Sequence, residues 1–313
     1  MLGLARRKSN GSRRRILMSP IEHKCVLAAG RAIERQYNIT VEFTRVDAFG
    51  RIDLRNLEEQ ITDDVLAVSV MAVNNEIGTI QDIGRISEIA RSNGVILHCD
   101  CAQAPCALDI SRFAEQVDLV SLSAHKMYGP MGVGALYVRR DIQDAIEPLI
   151  YGGGQQNNLR SGTLPTPLCV GMGVAAMLRG AEREFCNRKR VAQLRDRLVE
   201  NLASSPYGIF LNGPPSGEMR HPSNANILFE GFLAQDILGA LQPDIAASSG
   251  AACASGFQEP SHVLQAIGLK RRQAEASIRF SLGYGTTEED VDAAAELIER
   301  TLFEISSDRL YHV

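Results

Sequence analysis

The chain has 313 residues, 45% of them hydrophobic and 22% charged, with a formal net charge of −4. This is the composition of an ordinary soluble globular protein, long enough for one large or two smaller domains with a substantial core. The mild acidity gives no electrostatic case for nucleic acid or an anionic membrane as the main ligand. Seven cysteines, scattered without CxxC spacing, argue against a secreted disulfide scaffold or a structural zinc site and favour a reducing cytoplasm. Cys99, Cys101 and Cys106 cluster enough to suggest metal ligands, but their alternation at a strand end favours packing. No apolar run reaches membrane-spanning length, and no signal peptide precedes the first strand-like run.

Strand-like and helix-like segments alternate along the chain, which predicts a mainly parallel, doubly wound sheet. The basic residues Arg6-Arg7-Lys8 and Arg13-Arg14-Arg15 read as a solvated face beside the first strand, Arg15–Met18. A helix is expected from Ile21 to about Gln36, where Ile21, Cys25, Ala29 and Ile33 recur every four residues. Strands are expected at 41–46 and 65–73, a helix at Ile83–Ser92, and strands at 95–99, Leu119–Ser123 and Gly134–Val138. Gly152-Gly153-Gly154 marks a loop. From Pro167 to about Ser204 the pattern is that of one long helix linking two domains. A smaller α+β unit follows, with strands at 226–229 and 277–282, a helix at 234–241, and a last helix opened by a Thr286/Glu289 capping box.

The run Ser123-Ala124-His125-Lys126-Met127-Tyr128-Gly129-Pro130 follows the apolar stretch Asp118–Leu122. It puts a lysine at the end of a buried strand, where parallel α/β sheets build their sites. Burial there would lower the lysine pKa toward a nucleophilic free amine. These eight residues alone are equally those of an exposed loop lysine beside a turn. Upstream, Val95-Ile96-Leu97-His98-Cys99 is another buried run with Asp100 at its carboxyl end. Taken alone, Asp100 is a turn or cap residue. If both strands share one parallel sheet, Asp100 and Lys126 emerge on one edge. A pyridoxal phosphate enzyme needs that pair: a lysine for the Schiff base and a carboxylate to keep the pyridine nitrogen protonated.

The segments Glu22-His23-Lys24, Asn74-Asn75-Glu76-Ile77-Gly78, His98-Cys99-Asp100-Cys101-Ala102-Gln103, Ser123–Lys126, Arg160-Ser161-Gly162-Thr163 and Ser248-Ser249-Gly250-Ala251-Ala252-Cys253 resemble the cysteine desulfurases of the NifS/IscS type, in unbroken order over nearly the whole chain. The resemblance implies the fold type I architecture of pyridoxal phosphate-dependent transferases: an α/β large domain over 1–180 and a small α+β domain over 181–313 that carries a mobile cysteine loop. It implies that Lys126 carries the cofactor, Asp100 meets its ring nitrogen, Gln103 its phenolic oxygen, and His23 its ring face. Ser123 and His125 would hold the phosphate, with Thr163 reaching the phosphate of a partner subunit in a homodimer. Asn75 would orient both the substrate carboxylate and the cofactor oxygen, and Arg279 would pair with the substrate carboxylate, a role suited to a guanidinium fork.

Cys253 stands in a run of small residues that cannot pack a core. The resemblance makes it the persulfide-forming cysteine that converts L-cysteine to L-alanine. Its sulfur would go to an iron–sulfur scaffold protein or another acceptor, with Cys253 an iron–sulfur ligand during transfer and no resident metal. As a nucleophile it must be a thiolate, and His23 is the base expected to help. Family members carry a Gly-Ala/Thr-Glu-Ser phosphate loop upstream of the segment matching Leu2-Gly3-Leu4-Ala5, so the resemblance implies that this chain begins after it. Gln155-Gln156-Asn157-Asn158 also departs from the family pattern. The alternatives are a catalytically impaired paralogue or scaffold, a selenocysteine lyase, or a class V aminotransferase, the last disfavoured by Cys253.

Overall fold

The computed structural model describes residues 1–8, 11–180, 182–249 and 260–311, and the chain divides into two units. The first unit comprises Met1–Val46, Ile52–Asn74 and Gln81–Glu184. It opens with α1 (Leu2–Lys8), followed by β1 (Arg15–Met18), α2 (Lys24–Gln36), β2 (Thr40–Phe43), α3 (Leu54–Gln60) and β3 (Val65–Ser69). Next come α4 (Ile83–Ser92), β4 (Ile96–Asp100), the short α5 (Phe113–Gln116), β5 (Leu119–Ser123), β6 (Gly134–Val138) and α6 (Thr166–Arg179). The six strands form one sheet in the order β2-β1-β3-β4-β5-β6. Every pairing is parallel except β5 with β6.

All five residues of β3 are buried, as expected of a parallel strand covered on both faces. Leu4 and Ala5 of α1, Ile16 and Met18 of β1, Val26 and Ile33 of α2, and Leu66 and Ala67 of β3 form one apolar cluster. Gly30 lets α2 lie close on the sheet, since a Cβ there would stand 3.0 Å from the Met18 sulfur. The basic residues near the first strand are partly tied down. Arg13 donates to the carbonyls of Val65, Asn93 and Gly94, and Arg15 pairs with Glu42 and Asp64.

Helix α2 begins at Lys24, not Ile21, because the His23 side chain accepts the Cys25 N–H and caps it. The expected single helix over 167–204 is two: α6 ends at Arg179, capped by Gly180, and α7 runs Glu182–Ala203.

The second unit comprises Asp47–Arg51, Asn75–Ile80 and Phe185–Val313. After α7 it contains β7 (Ile209–Leu211), β8 (Asn224–Phe229), α8 (Ala234–Ala240), α9 (His262–Ala266), α10 (Arg271–Glu275), β9 (Ser277–Ser281) and α11 (Glu288–Tyr311). The strands form an antiparallel sheet in the order β7-β8-β9. Leu194, Leu198 and Leu202 of α7 and Val291, Ala295, Ile298 and Leu302 of α11 recur at helical spacing and pack with Ile227, Phe229, Ile278 and Phe280 of the sheet. The cap of α11 lies one residue beyond the expected one: the Thr287 hydroxyl accepts the Asp290 N–H, and the Asp290 carboxylate accepts the Thr287 N–H.

The expected division at 180/181 differs from this one, because two early segments belong to the second unit. The Gly78 carbonyl accepts the His221 N–H, and the Glu76 carbonyl accepts the side-chain amides of both Asn224 and Asn226. Gly78 has φ +73°, and a Cβ there would stand 2.8 Å from the Asn224 Oδ1, so only glycine fits. The Thr79 hydroxyl in turn donates to the Phe49 carbonyl and ties in the Asp47–Arg51 turn.

Ile298 is fully buried in this second core. Ile298→Ala is expected to lower the unfolding free energy by about 2–5 kcal/mol in urea titration.

Candidate active site

Strands β4 and β5 pair in parallel, with Cys99 opposite Val120 and Asp100 opposite Ser121. Their carboxyl ends therefore leave the sheet on one edge, where open α/β sheets bind ligands. Two residues behind Asp100 and on the same face of β4, buried His98 bridges three strands. Its Nδ1 lies 2.8 Å from the Ser69 hydroxyl on β3, and its Nε2 lies 2.8 Å from the Ser121 hydroxyl on β5. Burial, helped by the N-terminal charge, pushes the His98 pKa down to about 3, so the ring stays a neutral cross-strand link.

Asp100 ends β4 and is 7% exposed. Its Oδ1 accepts the Ala102 N–H at 2.9 Å. Burial raises its pKa, against the lowering effects of that N–H and of the nearby His23. His23 is exposed at the start of α2, and beside it Glu22 is fully buried. Burial and the Asp100 charge push Glu22 up to about 8, against the opposing effect of the nearby Met71 and His23 backbone N–H groups. The structure thus gathers His23, Asp100 and Glu22 around one strand end. Glu22 was visible in the sequence only as the residue before a motif histidine. Its proton-holding state depends on burial, which no local pattern reveals.

Beyond β5 the chain makes a tight 3-10 turn over Ala124–Met127, closed by Tyr128 in the left-handed region at φ 64°. Ser123 Oγ lies 3.0 Å from His125 Nδ1, so these two side chains face each other. Lys126 is exposed, contrary to the burial expected for it, because the turn carries it past the strand end. Its backbone is held from beneath, where the Cys106 thiol donates to the Lys126 carbonyl at 3.4 Å. Gln103 is half-buried in the turn after Asp100, and Thr163 is exposed on a separate loop after buried Ser161. Three consecutive left-handed residues, Gln156, Asn157 and Asn158, precede that loop.

Within the second unit, Arg279 on β9 donates through Nη1 to the Asn75 carbonyl at 2.9 Å, so two of the expected substrate residues are neighbours. The Arg279 Nε is buried and has no hydrogen-bond partner among the described residues, which leaves donor capacity for a carboxylate. Ser248 and Arg279 exchange backbone hydrogen bonds, 3.2 Å from the Ser248 N–H and 2.6 Å from the Arg279 N–H. The segment leading toward Cys253 is therefore tethered beside Arg279. Cys253 itself lies outside the described residues.

The donor set of the first unit fits pyridoxal phosphate. A buried carboxylate whose ionised form is disfavoured by burial suits a protonated ring nitrogen as counter-charge. An accessible lysine on the adjacent strand's turn suits the aldehyde. The facing Ser123 and His125 supply donors for a phosphate.

Glu22 makes a testable contribution to stability. The unfolded carboxyl ionises near 4.5 and the folded one near 8, so between these values the folded chain holds the extra proton. Stability should therefore fall as pH rises through that window. Glu22→Gln is expected to flatten the decline, read as a smaller loss of melting temperature between pH 5 and pH 8 than in the parent chain.

Residues 2–294 match the family described as aminotransferase class-V. The cysteine desulfurase IscS of Rickettsia rickettsii (strain Iowa) is 43% identical over 296 residues, which are 95% of this chain and 71% of that protein. Among solved structures, a NifS-like protein aligns with a TM-score of 0.85 at 33% identity, covering 96% of this chain and 78% of its own. SspA in complex with cysteine aligns at 0.75 and 35% identity, covering 90% and 76%. The family match over most of the chain and the 43% identity to a cysteine desulfurase place the chain in the class V aminotransferase family, among the cysteine desulfurases of the NifS/IscS type.

Proposed function

We infer that this chain is a pyridoxal phosphate-dependent cysteine desulfurase that converts L-cysteine to L-alanine and supplies the sulfur for iron–sulfur cluster assembly. The observation that carries this reading is the parallel pairing of β4 and β5, which puts buried Asp100 and the turn bearing Lys126 on one sheet edge. The cofactor, when bound, supplies an electron sink for negative charge developing at the substrate's α-carbon.

Lys126 is the amine for its aldehyde. Asp100 keeps its ring nitrogen protonated, Gln103 meets its phenolic oxygen, and Ser123 and His125 hold its phosphate. His23 handles protons beside Asp100. Arg279 and Asn75 receive the substrate carboxylate; the guanidinium already spends Nη1 on the Asn75 carbonyl and keeps Nε to offer. Cys253, as thiolate, attacks the substrate sulfur. An S–S bond forms as the substrate's C–S bond breaks, leaving a persulfide on Cys253 and the carbon skeleton as alanine. The persulfide sulfur then passes to an iron–sulfur scaffold protein or another acceptor.

Two copies of the chain are proposed to share each site through Thr163, whose exposed loop is free to meet a second copy's phosphate. A cytoplasmic location is proposed from the thiols: the six cysteines among the described residues are all free. Among the described residues, no helix is long and apolar enough to cross a membrane.

Lys126→Ala and Cys253→Ser are expected to fail in different ways. The first should lose the visible absorbance of bound cofactor, and borohydride reduction of the parent should attach the cofactor to the peptide carrying Lys126. The second should keep the absorbance and respond spectrally to L-cysteine, yet release no sulfide. Desulfuration by Cys253→Ser at the parental rate, or labelling of another lysine, would overturn the assignment.

A further inference from the structure

His23 does more than open α2. Its Nδ1 lies 3.2 Å from the backbone N–H of Cys25 and 2.9 Å from the Cys25 Sγ. A backbone N–H can only donate, so the nitrogen that accepts it carries no proton. The thiol beside that nitrogen must then donate to it as well. A neutral imidazole has a single N–H, which leaves the His23 proton on Nε2. Burial and the Asp100 charge push the Cys25 thiol up from its ordinary value, which keeps it protonated and able to donate at neutral pH.

We propose that Cys25 is a positioning residue for His23: its thiol and its backbone N–H together hold Nδ1 as an acceptor, so that the ring presents an Nε2–H and acts in the reaction as a hydrogen-bond donor. The proposal rests on the place beside Asp100 given to His23 above and adds the atom it presents and the direction of its hydrogen bond. Rotating the ring to present Nδ1 instead would break both contacts at once, so the pair fixes orientation together with tautomer. A base acting on the Cys253 thiol would need an unprotonated Nε2, and this arrangement denies it. His23 is therefore suited to donating a hydrogen bond to an anionic oxygen, nitrogen or sulfur of the substrate. The thiolate of Cys253 must be generated by another group.

Nitrogen-15 labelling of histidine in the full chain, read by two-dimensional NMR of the ring nitrogens, reports the tautomer without any need for turnover. The His23 signals are assigned by their loss in His23→Gln. The parent should show an Nε2-protonated ring. In Cys25→Ala the excess of the Nε2–H form over the Nδ1–H form should fall by about two- to tenfold, the worth of one ordinary hydrogen bond. Cys25→Ser, whose hydroxyl also donates, should restore it. An Nδ1-protonated ring in the parent, or a Cys25→Ala ring identical to the parent's, would overturn the proposal. Turnover of the cofactor-loaded protein separates this failure from failure of the underlying reading. Full activity in His23→Gln would remove the histidine from the reaction and with it the consequence for catalysis. Lost activity in His23→Gln, with Cys25→Ala unchanged in both ring signature and kcat, would leave the histidine in place and remove Cys25.

Discussion

Everything at the sheet edge depends on a carboxylate that is hard to keep ionised. Asp100 is almost completely buried, takes one backbone N–H on Oδ1, and lies near a second acid, Glu22. Burial works against its charge. The surroundings share out the strain of having two acids there: Glu22 is the one pushed far enough to keep its proton near neutrality, which limits the negative charge that Asp100 must tolerate. A cationic ring nitrogen would complete the compensation. The strand that delivers Asp100 is pinned by a neutral histidine bonded to serines on both neighbouring strands, so the position of this carboxylate is set by the sheet and not by a loop.

How much of this was legible depended on the range of the forces involved. Parallel strands buried on both faces leave continuous apolar runs, and for that reason the strand ending near Asp100 is legible to within a residue. The runs 119–123 and 134–138 match their observed bounds as well, although β6 pairs antiparallel and its first three residues are exposed. Helix ends were less legible. A histidine is an unusual cap, so nothing in the spacing of Ile21, Cys25, Ala29 and Ile33 announced that α2 starts only at Lys24. At the last helix two overlapping motifs compete, Thr286 with Glu289 and Thr287 with Asp290, and only the side-chain geometry selects the second. Strand β7, three residues long and nowhere fully buried, carries too little pattern to be seen.

The site residues divide in the same way. Asp100 and Ser123 close strands β4 and β5, and His125 and Lys126 lie in the turn that follows, so their places along the chain were legible. The exposure of Lys126 was not, since it follows from a 3-10 turn whose tightness rests on a left-handed Tyr128. The protonation of Glu22 and the contact between His23 and Cys25 arise from packing and from cap geometry. The sequence shows such effects only as neighbouring letters.

The two early segments that belong to the second unit carry a consequence for how this chain is made. The backbone passes between the two units at five places, after residues 46, 51, 74, 80 and 184. The Glu76 carbonyl waits for the amide of Asn224, which lies 148 residues further along. At typical synthesis rates that interval is roughly 7–30 s. Throughout it the emerging chain holds Asn75–Ile80 without the strand it will join. Closing so long a loop is a modest entropic cost but a slow event. The nascent polypeptide therefore passes through a stage in which the segment that begins at Asn75 has been made and its partner strand β8 has not, and any ribosome-associated chaperone would meet it in that state.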